Sequence, residues 1–254
     1  MHSLFQHRGP ASPHVVELVG TEFPAIEGAG MAAAFSGKRV AGDFYDAVRA
    51  NHKRVLFGML DVAGRREHTA EILRAAQHIF RNQGTSIFAK PDINESEAMT
   101  ELCHSLNRGI QEAAGGVRSC PGFLCCYNEE SGTLCYTNAG HTPGLLRDRS
   151  GVTELPSTGL PLGLFSHATS DAPIVGVEPG AALLLVSRGV LEGKCMNRAA
   201  RDPEFGMERT TELLRQDALL TPQALCTSIL NAVDSECEPV ISDDRTALAF
   251  LRKG

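Results

Sequence analysis

The stretch Val55 to Gly64, VLFGMLDVAG, does most to restrict what this chain can fold into. It is a short apolar run that ends in an acid, Asp61, and then turns through Gly64 into a helical pattern. A strand that buries Val55, Phe57 and Met59 and delivers one carboxylate at its end holds a metal ligand rigidly. Asp61 also stands where a helix N-cap stands, and taken by itself it reads as a cap. The other acids of the chain decide between the two readings.

At 254 residues the chain is long enough for a substantial core. We expect residues 1–27, with Pro10, Pro13 and Pro24, to form an N-terminal arm with one short strand at Val15 to Val19, and residues 28–254 to form a single domain. With 43% hydrophobic and 21% charged residues the composition is that of a globular protein, which argues against wholesale disorder. A net charge of -6 gives no basic footprint, so neither nucleic acid nor an anionic membrane is expected as a partner. The eight cysteines include no C-x-x-C pair, which speaks against a zinc or thioredoxin-like site, and most are expected to be reduced core residues. The N-terminus has no charged start followed by a long apolar stretch, and no apolar run reaches spanning length, so a cytoplasmic protein is expected.

Along the chain, Met31 to Val48 reads as two strands and Lys53 to Asp61 as a third. Apolar residues at Ile72, Leu73, Ala76, Ile79 and Phe80 predict a helix over His68 to Gln83 that Gly84 ends. A second helix is predicted over Glu95 to Ala114, capped by Asn94 and closed at Gly115-Gly116. Gly122 to Tyr127 and Thr133 to Asn138 flank a polar turn and predict a hairpin. Short strands around Leu145 to Arg147 and Val152 to Leu155, a glycine-rich loop at Thr158 to Leu164, and a buried strand at Ala181 to Ser187 follow. Helices at Gly206 to Arg215 and Pro222 to Val233 and a closing strand at Arg245 to Leu251 complete an α+β layout.

Asp43, Asp46, Asp61, Asp243 and Asp244 all fall at predicted strand ends or in turns. Gathered at one sheet edge they suit a hard divalent cation such as Mg²⁺ or Mn²⁺, which takes carboxylates and water. Spacing alone leaves separate turn acids as an equal alternative.

Val40 to Asp46, VAGDFYD, is similar to V-G-G-D-F-Y-D, and Asp61-Val62-Ala63-Gly64 to D-V-S-G. LCYTNAGHTP at Leu134 to Pro143, GLPLGL at Gly159 to Leu164, Phe205-Gly206 and Asp243-Asp244-Arg245-Thr246 follow in the same order. Together these segments resemble the metal-dependent protein serine/threonine phosphatases of the protein phosphatase 2C-like superfamily, in its bacterial SpoIIE-type branch. The resemblance implies an α-β-β-α sandwich of two antiparallel sheets flanked by helices. It also implies one or two Mg²⁺ or Mn²⁺ ions and a phosphorylated protein substrate, for instance an anti-sigma-factor antagonist. By the resemblance, Asp61 bridges both metals, the main-chain carbonyl of Val62 ligates one, Asp43 holds that same metal, and Asp243 ligates the other. Lys38 and Arg39, just before the Asp43 strand, are candidates for contact with substrate phosphate and equally for a solvated face. His141 is expected to fix its turn by hydrogen bonding.

The chain departs from the pattern in two places. Where the family has D-G-V-x-E, this chain has Ser187-Arg188-Gly189-Val190-Leu191-Glu192, so Arg188 replaces an acid. A unit charge at about 4 Å with an effective dielectric near 20 is worth roughly 4 kcal/mol, so the reversal impairs one metal site. Arg188 either swings out to solvent as a surface residue or is a candidate surrogate cation pairing with Asp61 and Asp243, because a planar guanidinium matches carboxylates. After Gly64, Arg65-Arg66 stands where the family tends to have His-Gly. The expected function is therefore a phosphoserine/phosphothreonine phosphatase with an impaired metal site. The alternative is a pseudophosphatase acting as a protein-binding module.

Overall fold

The computed structural model describes residues 21–36, 42–62, 64, 66–167, 169–195, 204–216, 221–237 and 244–254. The expected strand at Val15 to Val19 and the candidates Lys38, Arg39 and Asp243 lie outside these residues. The first half of the chain runs β1 (Ala29–Ser36), β2 (Gly42–Arg49), β3 (Arg54–Val62), α1 (Arg66–His78), a π-helical segment (Ile79–Gly84), α2 (Thr85–Phe88) and α3 (Glu95–Ala114). The second half runs β4 (Gly122–Asn128), β5 (Thr133–Ala139), β6 (Gly144–Asp148), β7 (Gly151–Leu155), β8 (Ile174–Gly176), β9 (Ala182–Val186), α4 (Arg188–Leu191), α5 (Gly206–Gln216), α6 (Pro222–Glu236) and β10 (Arg245–Arg252).

Two five-stranded sheets, ordered β1-β10-β9-β6-β7 and β2-β3-β4-β5-β8, contain antiparallel pairs throughout. They pack face to face, with Val55, Phe57, Met59, Phe123 and Cys125 of one sheet meeting Leu183, Leu185, Leu248 and Phe250 of the other. Phe57 and Phe250 stack with ring centroids 5.6 Å apart across this interface. On the outer face of the second sheet, Leu56, Leu60 and Leu124 pack under Leu73, Ala76, Leu102 and Leu106 of α1 and α3. On the outer face of the first sheet, Leu184, Ala247 and Ala249 pack under Leu225, Ile229 and Val233 of α6. This is the expected α-β-β-α sandwich. With one face on a sheet and the other on helices, every residue of β3 is buried, which is why its sequence reads as a continuous apolar run.

Local signals were realised where they were strongest. Asn94 caps α3 by accepting hydrogen bonds from the amides of Ser96 and Glu97, and Gly115 ends it at φ 61°. Two expectations need correction. Gly84 does not end the first helix: it keeps helical angles, φ -56° and ψ -50°, and the chain winds on through α2. A Cβ there would lie 3.0 Å from Leu56, so close packing against β3 accounts for this glycine. Asp46 lies within β2, not at a strand end. The three-residue β8 and the one-turn α4 carry no periodic signal and were not foreseen. Cys195 and Cys237 form a disulfide, while Cys103, Cys120, Cys125, Cys126, Cys135 and Cys226 are free and buried as expected. Burial pushes the Cys103 thiol up to about 11 and those of Cys135 and Cys226 to about 12, which leaves them unreactive. Residues 21–27 join the sandwich, with Ile26 buried and Phe23 stacked 6.2 Å from Tyr45.

The turn that crosses from β5 to β6 is built as expected around His141. Its amide donates to Asn138 Oδ1 at 2.8 Å, and its Nδ1 lies 3.2 Å from the Thr142 carbonyl. The ring is buried edge-on to Phe123, and burial pushes its pKa down to about 4. The unfolded chain binds the proton near pH 6.5 and the folded chain near 4, so this contribution is intact above pH 6.5 and is lost as pH falls toward 4. Urea unfolding should show stability dropping across that window by up to about 3 kcal/mol, and His141→Gln should flatten the drop.

Candidate active site

Period-two alternation gives the two acids nearest the sheet edge a common face. Along β3, Val55, Phe57 and Met59 face the opposite sheet, and Asp61 continues that series. Asp43 lies directly opposite Asp61 in the β2–β3 register. In an antiparallel pair such residues have Cβ atoms about 4.5–5.5 Å apart, so like charges there repel. Asp61 is held in place by its own amide, which donates to the Pro121 carbonyl at 2.9 Å. Gly64, at φ 119°, turns the chain from β3 into α1, a backbone conformation that favours glycine.

The other sheet meets this edge at the same end. Leu248 and Phe250 face the inter-sheet core, and Thr246 continues their series toward the mouth. Its Oγ1 donates to Asp43 Oδ2 at 2.7 Å, and this hydrogen bond joins the two sheets at the carboxylate pair. Thr246 is itself fixed: its amide donates to Ser187 Oγ at 3.0 Å and its carbonyl accepts from the Ser187 amide at 2.9 Å. Ser187 Oγ also donates to the carbonyl of buried Asp244 at 3.3 Å. Arg245, beside it, is anchored to Asp234 at 2.6 Å.

Arg188 follows Ser187 and opens α4. Its Nε lies 3.9 Å from Asp61 Oδ2 and 3.7 Å from Glu192 Oε1. The contact with Asp61 is through one nitrogen, not the two-pronged grip that carboxylates favour, and the Arg188 side chain is 53% exposed. Burial raises the pKa of Asp61, and the nearby Arg188 charge opposes that without reversing it. A half-exposed guanidinium at this distance is worth at most about 1 kcal/mol.

Of the residues singled out in the sequence, Asp43, Asp61, Val62 and Arg188 come together here. Among the described residues no three His, Cys, Asp or Glu side chains converge. The donor set present, two facing carboxylates with the Val62 backbone alongside, is oxygen only and fits a hard divalent cation. A polar groove of about 690 Å³ between α3 and residues 170–172, lined by Thr100, His104 and Arg108, shares no residue with this edge. Sequence reasoning missed Thr246 and Ser187. The alternation of the closing strand, read backward from Phe250 and Leu248, would have found the first.

Removing the Thr246 hydroxyl isolates its effect on Asp43. Thr246→Val should weaken Mn²⁺ binding about tenfold, as expected for the loss of a hydrogen bond to a charged ligand, while Thr246→Ser should bind as the native chain does. Titration calorimetry with Mn²⁺ checks both.

The family model described as Stage II sporulation protein E (SpoIIE) matches residues 51–253. The phosphoserine phosphatase RsbP of Bacillus subtilis is 25% identical over 158 residues, covering 62% of this chain and 38% of that protein. The chain thus matches well under half the length of that relative. A crystal structure of the RsbU and RsbW domains of a Mycobacterium tuberculosis protein shares the fold with a TM-score of 0.72 at 23% identity, covering 91% of this chain and 62% of that one. RsbX in complex with magnesium superposes with a TM-score of 0.61 at 15% identity, covering 91% and 98%. No helix among the described residues is long and apolar enough to cross a membrane. On the family match, which takes in most of the chain, this protein belongs to the SpoIIE family.

Proposed function

We propose that this chain is a Mg²⁺- or Mn²⁺-dependent phosphoserine/phosphothreonine protein phosphatase whose metal site is altered by Arg188, with residues 28–254 as its catalytic unit. The observation that carries the reading is the cross-strand pair Asp43–Asp61, set at the mouth between two sheets with Asp61 buried. Asp43, Asp61 and the Val62 carbonyl would hold one cation, and Asp243 is the candidate ligand for a second. Bound there, divalent cations supply a water nucleophile at neutral pH and offset charge on the phosphoryl oxygens. The chain's own part is to keep the carboxylates aligned: Thr246 restrains Asp43, and the Pro121 carbonyl restrains the backbone of Asp61. Arg188 stands where its charge meets both Asp61 and an arriving phosphate, and Lys38 and Arg39 are further candidates for phosphate contact. RsbP is a phosphoserine phosphatase, which supports a phosphorylated protein as substrate. An anti-sigma-factor antagonist in the cytoplasm is the substrate class we favour.

One observation favours a second reading. The guanidinium of Arg188 lies 3.9 Å from the central acid, where the family's pattern has a carboxylate, and this suits a binding module that has lost turnover.

Phosphate release from a phosphoserine peptide across a Mn²⁺ titration separates the two. The phosphatase reading expects release that rises with Mn²⁺ and falls at least about a hundredfold in Asp61→Ala, since metal charge stabilisation is worth several kcal/mol. No release above that variant at any Mn²⁺ concentration, together with a gain of release in Arg188→Asp, establishes the binding module instead.

A further inference from the structure

The face of β2 turned away from Asp43 carries a second acid. Asp46 is 2% exposed and meets donors from four directions. Arg81 grips it with two prongs, Nε to Oδ2 at 2.7 Å and Nη2 to Oδ1 at 2.8 Å. Gln77 Nε2 donates to Oδ2 at 3.3 Å, the Ala47 amide to Oδ1 at 2.9 Å, and Thr21 Oγ1 to Oδ1 at 3.3 Å. Gln77 and Arg81 are four residues apart, one turn along the same helical face, where α1 passes into the π-helical segment. π-Helical turns recur at functional positions, and this one sets Arg81 against the sheet.

The position of β2 gives this grip a consequence. Among the described residues it is an edge strand with β3 as its neighbour in the sheet order, and Thr21 Oγ1 donates to its Tyr45 carbonyl at 2.9 Å. Asp43 is the second residue of β2. A two-pronged ion pair fixes the orientation of a planar carboxylate, and through it the strand that bears it. Asp43 and Asp46 are three residues apart and therefore on opposite faces, so a rotation of β2 that frees Asp46 swings Asp43 away from Asp61.

We infer that Arg81 and Gln77 are positioning residues for Asp43, holding edge strand β2 at the rotation that keeps Asp43 opposite Asp61. The inference rests on the reading of Asp43 as a metal ligand, yet neither residue touches the metal edge.

The test uses the full chain with Arg81→Met, Arg81→Lys and Gln77→Leu. It measures Mn²⁺ binding by electron paramagnetic resonance, half-saturating Mn²⁺ for phosphate release, and amide exchange over residues 43–47 without metal. Arg81→Met should weaken Mn²⁺ binding and raise half-saturating Mn²⁺ by about tenfold or more, with the rate at saturating Mn²⁺ within about twofold of native. Arg81→Lys, which keeps the charge and loses the fork, should fall between. Exchange over residues 43–47 should quicken while β4 stays protected. Native Mn²⁺ affinity in Arg81→Met overturns the inference, as does a general loss of stability with no shift in half-saturating Mn²⁺. If Arg81→Met does not fold, Gln77→Leu decides by the same two readouts. If the native chain binds no Mn²⁺, the phosphatase reading fails, and exchange alone judges the grip: unchanged protection over residues 43–47 in Arg81→Met overturns it.

Discussion

Two carboxylates set opposite one another on neighbouring antiparallel strands repel, and burying one of them strengthens the effect. Arg188, half exposed and reaching Asp61 through one nitrogen at 3.9 Å, offsets a part of it. On the proposed function, a cation between Asp43 and Asp61 would offset the remainder. Thr246 and the buried face of β3 make sense as devices that hold the pair together against that repulsion.

The scaffold is suited to this task because the strand carrying Asp61 is packed on both faces. A strand half exposed to water could relax away from a charged neighbour, whereas β3 is enclosed by Leu56 and Leu60 under the helices and Phe57 and Met59 against Phe250's sheet. β2 is flanked by side-chain bonds from Thr246 on one face and Arg81 on the other, and Thr21 donates to its Tyr45 carbonyl. The family match places this arrangement in the SpoIIE family.

Much of the fold was legible because its strongest elements obey local rules. The apolar run of β3, the Asn94 cap and Gly115 terminus of α3, and the polar turn between β4 and β5 each carry their cause within a few residues. Gly84 misled because a glycine read locally as a terminator serves a contact with Leu56, nearly thirty residues earlier in the chain. At the site, Asp43 and Asp61 were legible through motif and alternation. The bond from Thr246 to Asp43 was not, because it joins residues 203 positions apart in different sheets. Asp46 was read as one of the metal-edge acids; strand alternation turns it to the opposite face, where Arg81 claims it.

The proposed function requires Asp43 and Asp61 to hold a divalent cation between them. Anomalous diffraction from crystals grown with Mn²⁺ tests it most directly. The account predicts a manganese peak within coordination distance of both carboxylates. Well-ordered Asp43 and Asp61 with no peak between them, and the Arg188 guanidinium seated in that space instead, would contradict it.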